Sequence, residues 1–237
     1  MARKADLRTG SAGARPVAVV YSDDSTGPAD GDDTAAVAAM LTAAQGWNFD
    51  VITAGPNGTM SVRKALKQPG VRLYAQPGAD GDDHAAYKRQ KRDKAAIREF
   101  VHDGGRYLGI CMGGFLAEPC FFNLFRGRVE EYYSSSGASV RTSDPAVIPI
   151  IWRGTTRQMY FQDGGFMIPK RSTSVTVLAT YSNGSIAALV APRGRGKVGL
   201  CGPHPEAPPD WYHEANLVYS GPTQDLGDDL VNALMAP

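Results

Sequence analysis

The chain has 237 residues, 43% of them hydrophobic, 9% aromatic and 21% charged, with a formal net charge of +1. This is ordinary globular composition, and so even a balance calls for neither nucleic acid nor a membrane surface as partner. No run approaches the roughly 18 apolar residues of a membrane span, and three cysteines, Cys111, Cys120 and Cys201, are too few and odd in number for a disulfide framework, which points to a reducing, cytoplasmic setting.

Residues 1–14 are small, polar and basic and read as a flexible tail, without the apolar stretch of a secretory signal. Residues 15–237 read as one domain, because no composition break divides them. Pro16–Tyr21 is a short apolar run suited to a buried parallel strand. Thr34–Gln45 is Ala-rich and helical, with Gly46 as its stop. Phe49–Thr53 reads as a second strand, Ser61–Lys67 as a short helix and Val71–Gln76 as a third strand, closed by Pro77-Gly78. One longer helix is expected from about Asp83 to His102, its run Lys88–Lys94 forming a solvated charged face. Tyr107–Ile110 is a strand leading directly into Cys111. This alternation predicts an α/β fold with a doubly wound, mostly parallel, flavodoxin-like sheet.

The second half reads as additional strands: Val147–Trp152, Gln158–Phe161, Val175–Tyr181, Ile186–Val190 and Val198–Cys201. Arg193–Lys197 is expected to be a hairpin tip. A helix over Thr223–Met235 ends the reading. Two acidic stretches, Ala29–Asp33 and Ala79–Asp83, each follow a parallel strand. They read as turns and helix N-caps, with cation or cationic-substrate binding as the alternative.

Two segments carry chemistry. In Gly109-Ile110-Cys111-Met112-Gly113, a nucleophile stands between a strand and a small-residue turn, with glycines two before and two after it. A nucleophile elbow needs those glycines to relieve crowding, and the following helix start favours thiolate. In Gly202-Pro203-His204-Pro205-Glu206, a histidine follows a short strand with a carboxylate two residues on. A cysteine nucleophile gains from a histidine base, and the histidine from a carboxylate that fixes its tautomer. His84, His102 and His213 lack such a setting and read as surface or helix-end residues. Cys201 and Cys120 read as core thiols, with a regulatory disulfide between Cys201 and Cys111 as the alternative. Glu118 is either near the pocket or a paired carboxylate elsewhere.

Together these segments resemble the class I glutamine amidotransferase-like superfamily, and most closely its branch named for the N-terminal domain of biotin–protein ligase. Tyr74–Gly78, Phe125–Arg128 and Tyr160–Phe166 resemble further motifs of that branch, so the likeness spans about Val17 to Glu206. It implies a cysteine-dependent amidohydrolase or acyl transferase with catalytic Cys111, His204 and Glu206. It also implies an oxyanion and substrate-binding region at Gly78, Ala79, Met112, Gly113 and Phe115. No cofactor or metal is implied. The implied partners are a small-molecule or peptide-like substrate and a synthase or ligase chain. Phe115 departs from the Gln that glutaminases of this superfamily carry four residues after the nucleophile, and Ala79 from a second Gly. The contrasting reading is a non-catalytic binding or regulatory module that retains the elbow as architecture.

Overall fold

The computed structural model describes residues 14–26 and 33–237. Most of the expected tail and Ala29–Asp32 of the first acidic stretch lie outside the described residues. In the first half, β1 (Val17–Tyr21), α1 (Asp33–Ala43), β2 (Asp50–Ala54), α2 (Val62–Ala65), β3 (Val71–Gln76), α3 (Asp83–Gln90), α4 (Lys94–His102), β4 (Arg106–Ile110) and α5 (Met112–Leu116) alternate as expected. Then follow β5 (Gly127–Glu131), β6 (Ala146–Trp152), β7 (Thr155–Phe161), β8 (Gly165–Pro169), β9 (Thr176–Tyr181), β10 (Ile186–Arg193) and β11 (Gly196–Cys201). The described chain closes with α6 (Pro209–Glu214) and α7 (Gln224–Met235).

The strands form one mixed sheet in the order β2-β1-β3-β4-β11-β10-β9-β6-β7, with β8 and β5 branching from β10. Its first five strands are parallel. The expectation of a mostly parallel, doubly wound sheet needs correction, because six of the ten strand pairings are antiparallel. The cause is connection length. The turns Arg153-Gly154 and Gly194-Arg195 join neighbouring strands directly, and so short a link can only return the chain antiparallel. Crossovers long enough for parallel pairing occur only where helices intervene.

The long helix expected over Asp83–His102 is also corrected. It breaks into α3 and α4 around a 3-10 turn at Lys91–Asp93. Asp93 is buried there and pairs with Arg63 at 3.2 Å, while Gln90 is buried beside it, so the charged run is not one solvated face. Arg89 likewise turns inward to Asp23 at 3.1 Å. Strands β5 and β8 and helix α6 escaped the sequence reading. Charges occupy alternate positions of β5, β8 ends in proline and α6 is one and a half turns long.

Side chains alternate across the sheet into two cores. Leu108, Ile110 and Cys201 face α1 and α7, where Val37, Met40 and Leu230 pack. Tyr107, Val198 and Leu200 face α4 and α5, with Ile97, Val101 and Leu116. Every residue of β4 is buried. The strand that delivers Cys111 is therefore clamped on both faces. No helix among the described residues is long and apolar enough to cross a membrane.

Candidate active site

Cys111 follows β4 and precedes α5, with φ 49 and ψ −111. Such a conformation is costly for a residue with a Cβ and persists only where the surroundings enforce it. The enforcement is visible. A Cβ on Gly113 would stand 2.1 Å from the Gln76 carbonyl, and one on Gly109 would stand 2.4 Å from the Gly113 carbonyl. Strand β3, the elbow and α5 thus meet backbone to backbone. The Cys111 amide donates to the Cys201 carbonyl at 2.9 Å, fastening the elbow to β11.

Beyond β11, Gly202 packs so tightly that a Cβ there would lie 2.0 Å from the Gly165 carbonyl. His204 follows, its amide donating to the Tyr160 carbonyl at 3.0 Å. Its Nδ1 lies 2.9 Å from Glu206 Oε1, and both residues are buried. An ionised carboxylate only accepts, so Nδ1 carries a proton and Nε2 is the available nitrogen. The rings of Trp211 and Tyr160 stand edge-on to the imidazole at 5.5 and 5.8 Å and fix its plane. Burial opposes the imidazolium, but the Glu206 carboxylate and the Cys111 sulfur outweigh it and hold His204 well above the usual imidazole range. The Cys111 sulfur thus sits beside His204, although its thiol is directed 3.5 Å toward the Gln162 carbonyl. Such contacts often tighten only when substrate arrives.

Cys111 and His204 open into a cavity of about 620 Å³. Gly78, Ala79, Met112 and Phe115 also line it, whereas Gly113 and Glu206 lie behind its wall. The amides of Met112 and Gly113, at the start of α5, have no hydrogen-bond partner among the described residues. Sequence reasoning did not place Tyr160, Gln162, Asp163, Trp211 or Glu214 here. The first three lie in the Tyr160–Phe166 motif, which was the available signal, while nothing marked Trp211 or Glu214. Asp33 and Asp80, from the two acidic stretches, also reach the cavity. Asp82 does cap a helix, accepting from the Ala85 amide at 2.8 Å.

The remaining candidates fall elsewhere. Glu118 accepts from the Val129 amide at 2.6 Å and lies off the cavity, its carboxyl raised chiefly by burial. Cys201 is fully buried, and burial, with Glu206 and Cys111 nearby, pushes its thiol well up. His84, His102 and His213 are exposed. Asp33, His204 and Glu206 bring donor atoms within 4.8 Å of one another, the one such group of potential metal ligands among the described residues. The His204 nitrogen facing Glu206 is already committed to that carboxylate.

No protein-family model and no curated protein matches the chain. Solved structures do. A glutamine amidotransferase from Thermotoga maritima aligns with a TM-score of 0.59 at 12% identity, over 94% of this chain and 97% of that one. A protein provisionally assigned as a GMP synthase subunit, from Thermoplasma acidophilum, aligns at 0.53 and 11% identity, over 93% and 96%. An exo-β-1,4-mannosidase from an Opitutaceae bacterium aligns at 0.53 and 13% identity, and there this chain spans 93% of itself but only 36% of the larger enzyme. At these identities the likeness is one of fold: the chain has the glutamine amidotransferase-like fold.

Proposed function

We propose that the protein is a cysteine-dependent amidohydrolase or acyl transferase, closest in type to the biotin–protein ligase N-terminal-like branch. Cys111 is its nucleophile, His204 its general base and acid, and Glu206 the group that orients His204. The observation that carries this reading is the convergence of a strained Cys111 and a buried, carboxylate-held His204 on one cavity.

In the proposed reaction His204 Nε2 takes the thiol proton, and sulfur attacks the amide carbonyl. The oxyanion accepts hydrogen bonds from the Met112 amide and from backbone amides near Gly78 and Ala79, which line the same cavity. The Cys111 amide does not take part, being bonded to Cys201. The tetrahedral intermediate collapses, the C–N bond breaks, and His204 returns the proton to the departing amine. Water, deprotonated by His204, then attacks the thioester. The acid leaves, and the proton passes back to the thiolate. An amine in place of water makes the step an acyl transfer. Phe115 offers no hydrogen bond to a glutamine side chain, so glutamine is the less suited amide. A synthase or ligase chain as the acceptor of released ammonia belongs to that glutaminase variant.

Iodoacetamide labelling, followed by mass spectrometry, tests this directly. Cys111 is expected to label at neutral pH about tenfold or more faster than Cys120, and His204→Ala is expected to abolish the advantage. Cys120 serves as an internal reference because burial and Glu118 push its thiol up, although it is exposed. Equal rates for the two cysteines, unaffected by His204→Ala, would instead support the binding-module reading.

A further inference from the structure

The chain as a whole is balanced, with 25 Lys and Arg against 24 Asp and Glu. The cavity is not. Its lining includes Asp33, Asp80, Asp163 and Glu214, and among the described residues His204 is its sole basic side chain. Acids elsewhere on the molecule find cations: Asp23 has Arg89, Asp103 has Arg195, Asp225 has Arg157 and Asp229 has Arg153. Asp80, Asp163 and Glu214 form no ion pair among the described residues. Burial and the neighbouring Glu131 push the Asp163 carboxyl up, as befits an acid with no cation beside it.

The imbalance continues inward. The Glu206 side chain is shielded from solvent, and its Oε2 has no hydrogen-bond partner among the described residues. Trp211, on the same wall, adds an aromatic ring, whose face also favours positive charge. Met112 and Phe115 are apolar, so every charged anchor the described lining offers a ligand, His204 aside, is a carboxylate. A cleft lined by one sign of charge concentrates ligands of the other.

We infer that the amide or ester taken by this cavity carries an ammonium or guanidinium group, held by Asp163, Glu214 and Asp80 at the mouth while its carbonyl reaches Cys111. The inference rests on the proposed hydrolase reading and names its substrate class. Anionic amides are excluded by the same carboxylates.

Charge-matched thiol reagents test it without knowledge of the substrate. Methanethiosulfonates bearing a trimethylammonium or a sulfonate group would be applied to the full chain, and modification of Cys111 followed by mass spectrometry. Rates are normalised to those on 2-mercaptoethanol. The cationic reagent is expected to be favoured on the order of tenfold at low salt. The preference should fall several-fold in the double variant Asp163→Asn/Glu214→Gln, and also in high salt. A normalised ratio at or below one, or a ratio indifferent to the double variant, overturns the inference. Uncharged iodoacetamide separates the two claims. An intact advantage of Cys111 over Cys120 with no charge preference sinks the substrate class alone, whereas loss of that advantage sinks the hydrolase reading and the substrate with it.

Discussion

At the scale of single residues, the site depends on one nitrogen being held and the other left free. Glu206 does the holding, from a position where a neutral side chain would hold the wrong tautomer as readily as the right one. Glu206→Gln should therefore remove most of the roughly tenfold labelling advantage of Cys111 over Cys120 while leaving the fold intact by circular dichroism. It should also change how stability depends on pH. His204 is raised above the value of about 6.5 for an unfolded imidazole. Its stabilising contribution is therefore complete below that pH and lost as pH rises through the raised folded value. Urea denaturation of wild type and Glu206→Gln at several pH values should show the widest gap just below pH 6.5, narrowing as pH rises. A gap that widens with pH would show that Glu206 does not hold a charged imidazole.

These residues were legible as a candidate site because the proposed chemistry constrains them at short range. Cys111 needs glycine at two neighbouring positions, and His204 needs its carboxylate two residues on. The cavity walls were harder to read. Trp211 and Glu214 enter through a six-residue helix whose place depends on contacts with Tyr160, some fifty residues earlier. Gln162 and Asp163 lay in a recognisable motif, but nothing local distinguishes a wall residue from a turn residue.

At the scale of elements, the elbow is a junction where the backbones of β3, β4 and α5 approach closely, with the Tyr107 hydroxyl donating to the Gly113 carbonyl at 2.7 Å. Two adjacent glycines separate this role from mere helix formation. Gly113→Ala drives a methyl group into the Gln76 carbonyl, and should destabilise the fold by about 1–3 kcal/mol and slow Cys111 labelling. Gly114→Ala meets only Val129 Cγ1, at 3.9 Å, and should be neutral or gain up to about 1 kcal/mol from helix propensity. Chemical denaturation of both variants decides the point, and similar costs for the two would mean that the close approach is not what selects glycine. Element type was legible wherever period and length agreed, as in Val71–Gln76. It failed in β5, where Arg128 and Glu130 fill the outward positions of a strand that only β8 completes.

At the scale of the whole molecule, the parallel half and the antiparallel half share a single ladder at β11 and β10. The sequence announced the first half through its helices. Strand order in the second half, where β6 returns beside β9, is set by long-range pairing that no local pattern encodes. The C-terminal segment is tied to the sheet by Arg106, buried at the start of β4, which donates to the carbonyls of Leu234 and Ala236. Arg106→Ala removes the donor to the buried Leu234 carbonyl, while Ala236 keeps its bond from Lys197 Nζ at 3.0 Å, and should cost about 1–3 kcal/mol in urea denaturation. Native-state Cys111 labelling should be unchanged, since Arg106 sits at the opposite end of β4. A loss of labelling under native conditions would reveal coupling along the strand.

The backbone angle at Cys111 also bears on how such a sequence changes over generations. That conformation costs a residue with a side chain about 1–3 kcal/mol, and glycine far less. Mutation toward glycine at this position would therefore make a sturdier protein with no thiol in its cavity. Left to drift, a lineage with no use for the thiol has a downhill path away from it. A lineage that keeps it must be correcting that slide in each generation, and so carries a somewhat less stable molecule for the sake of one atom.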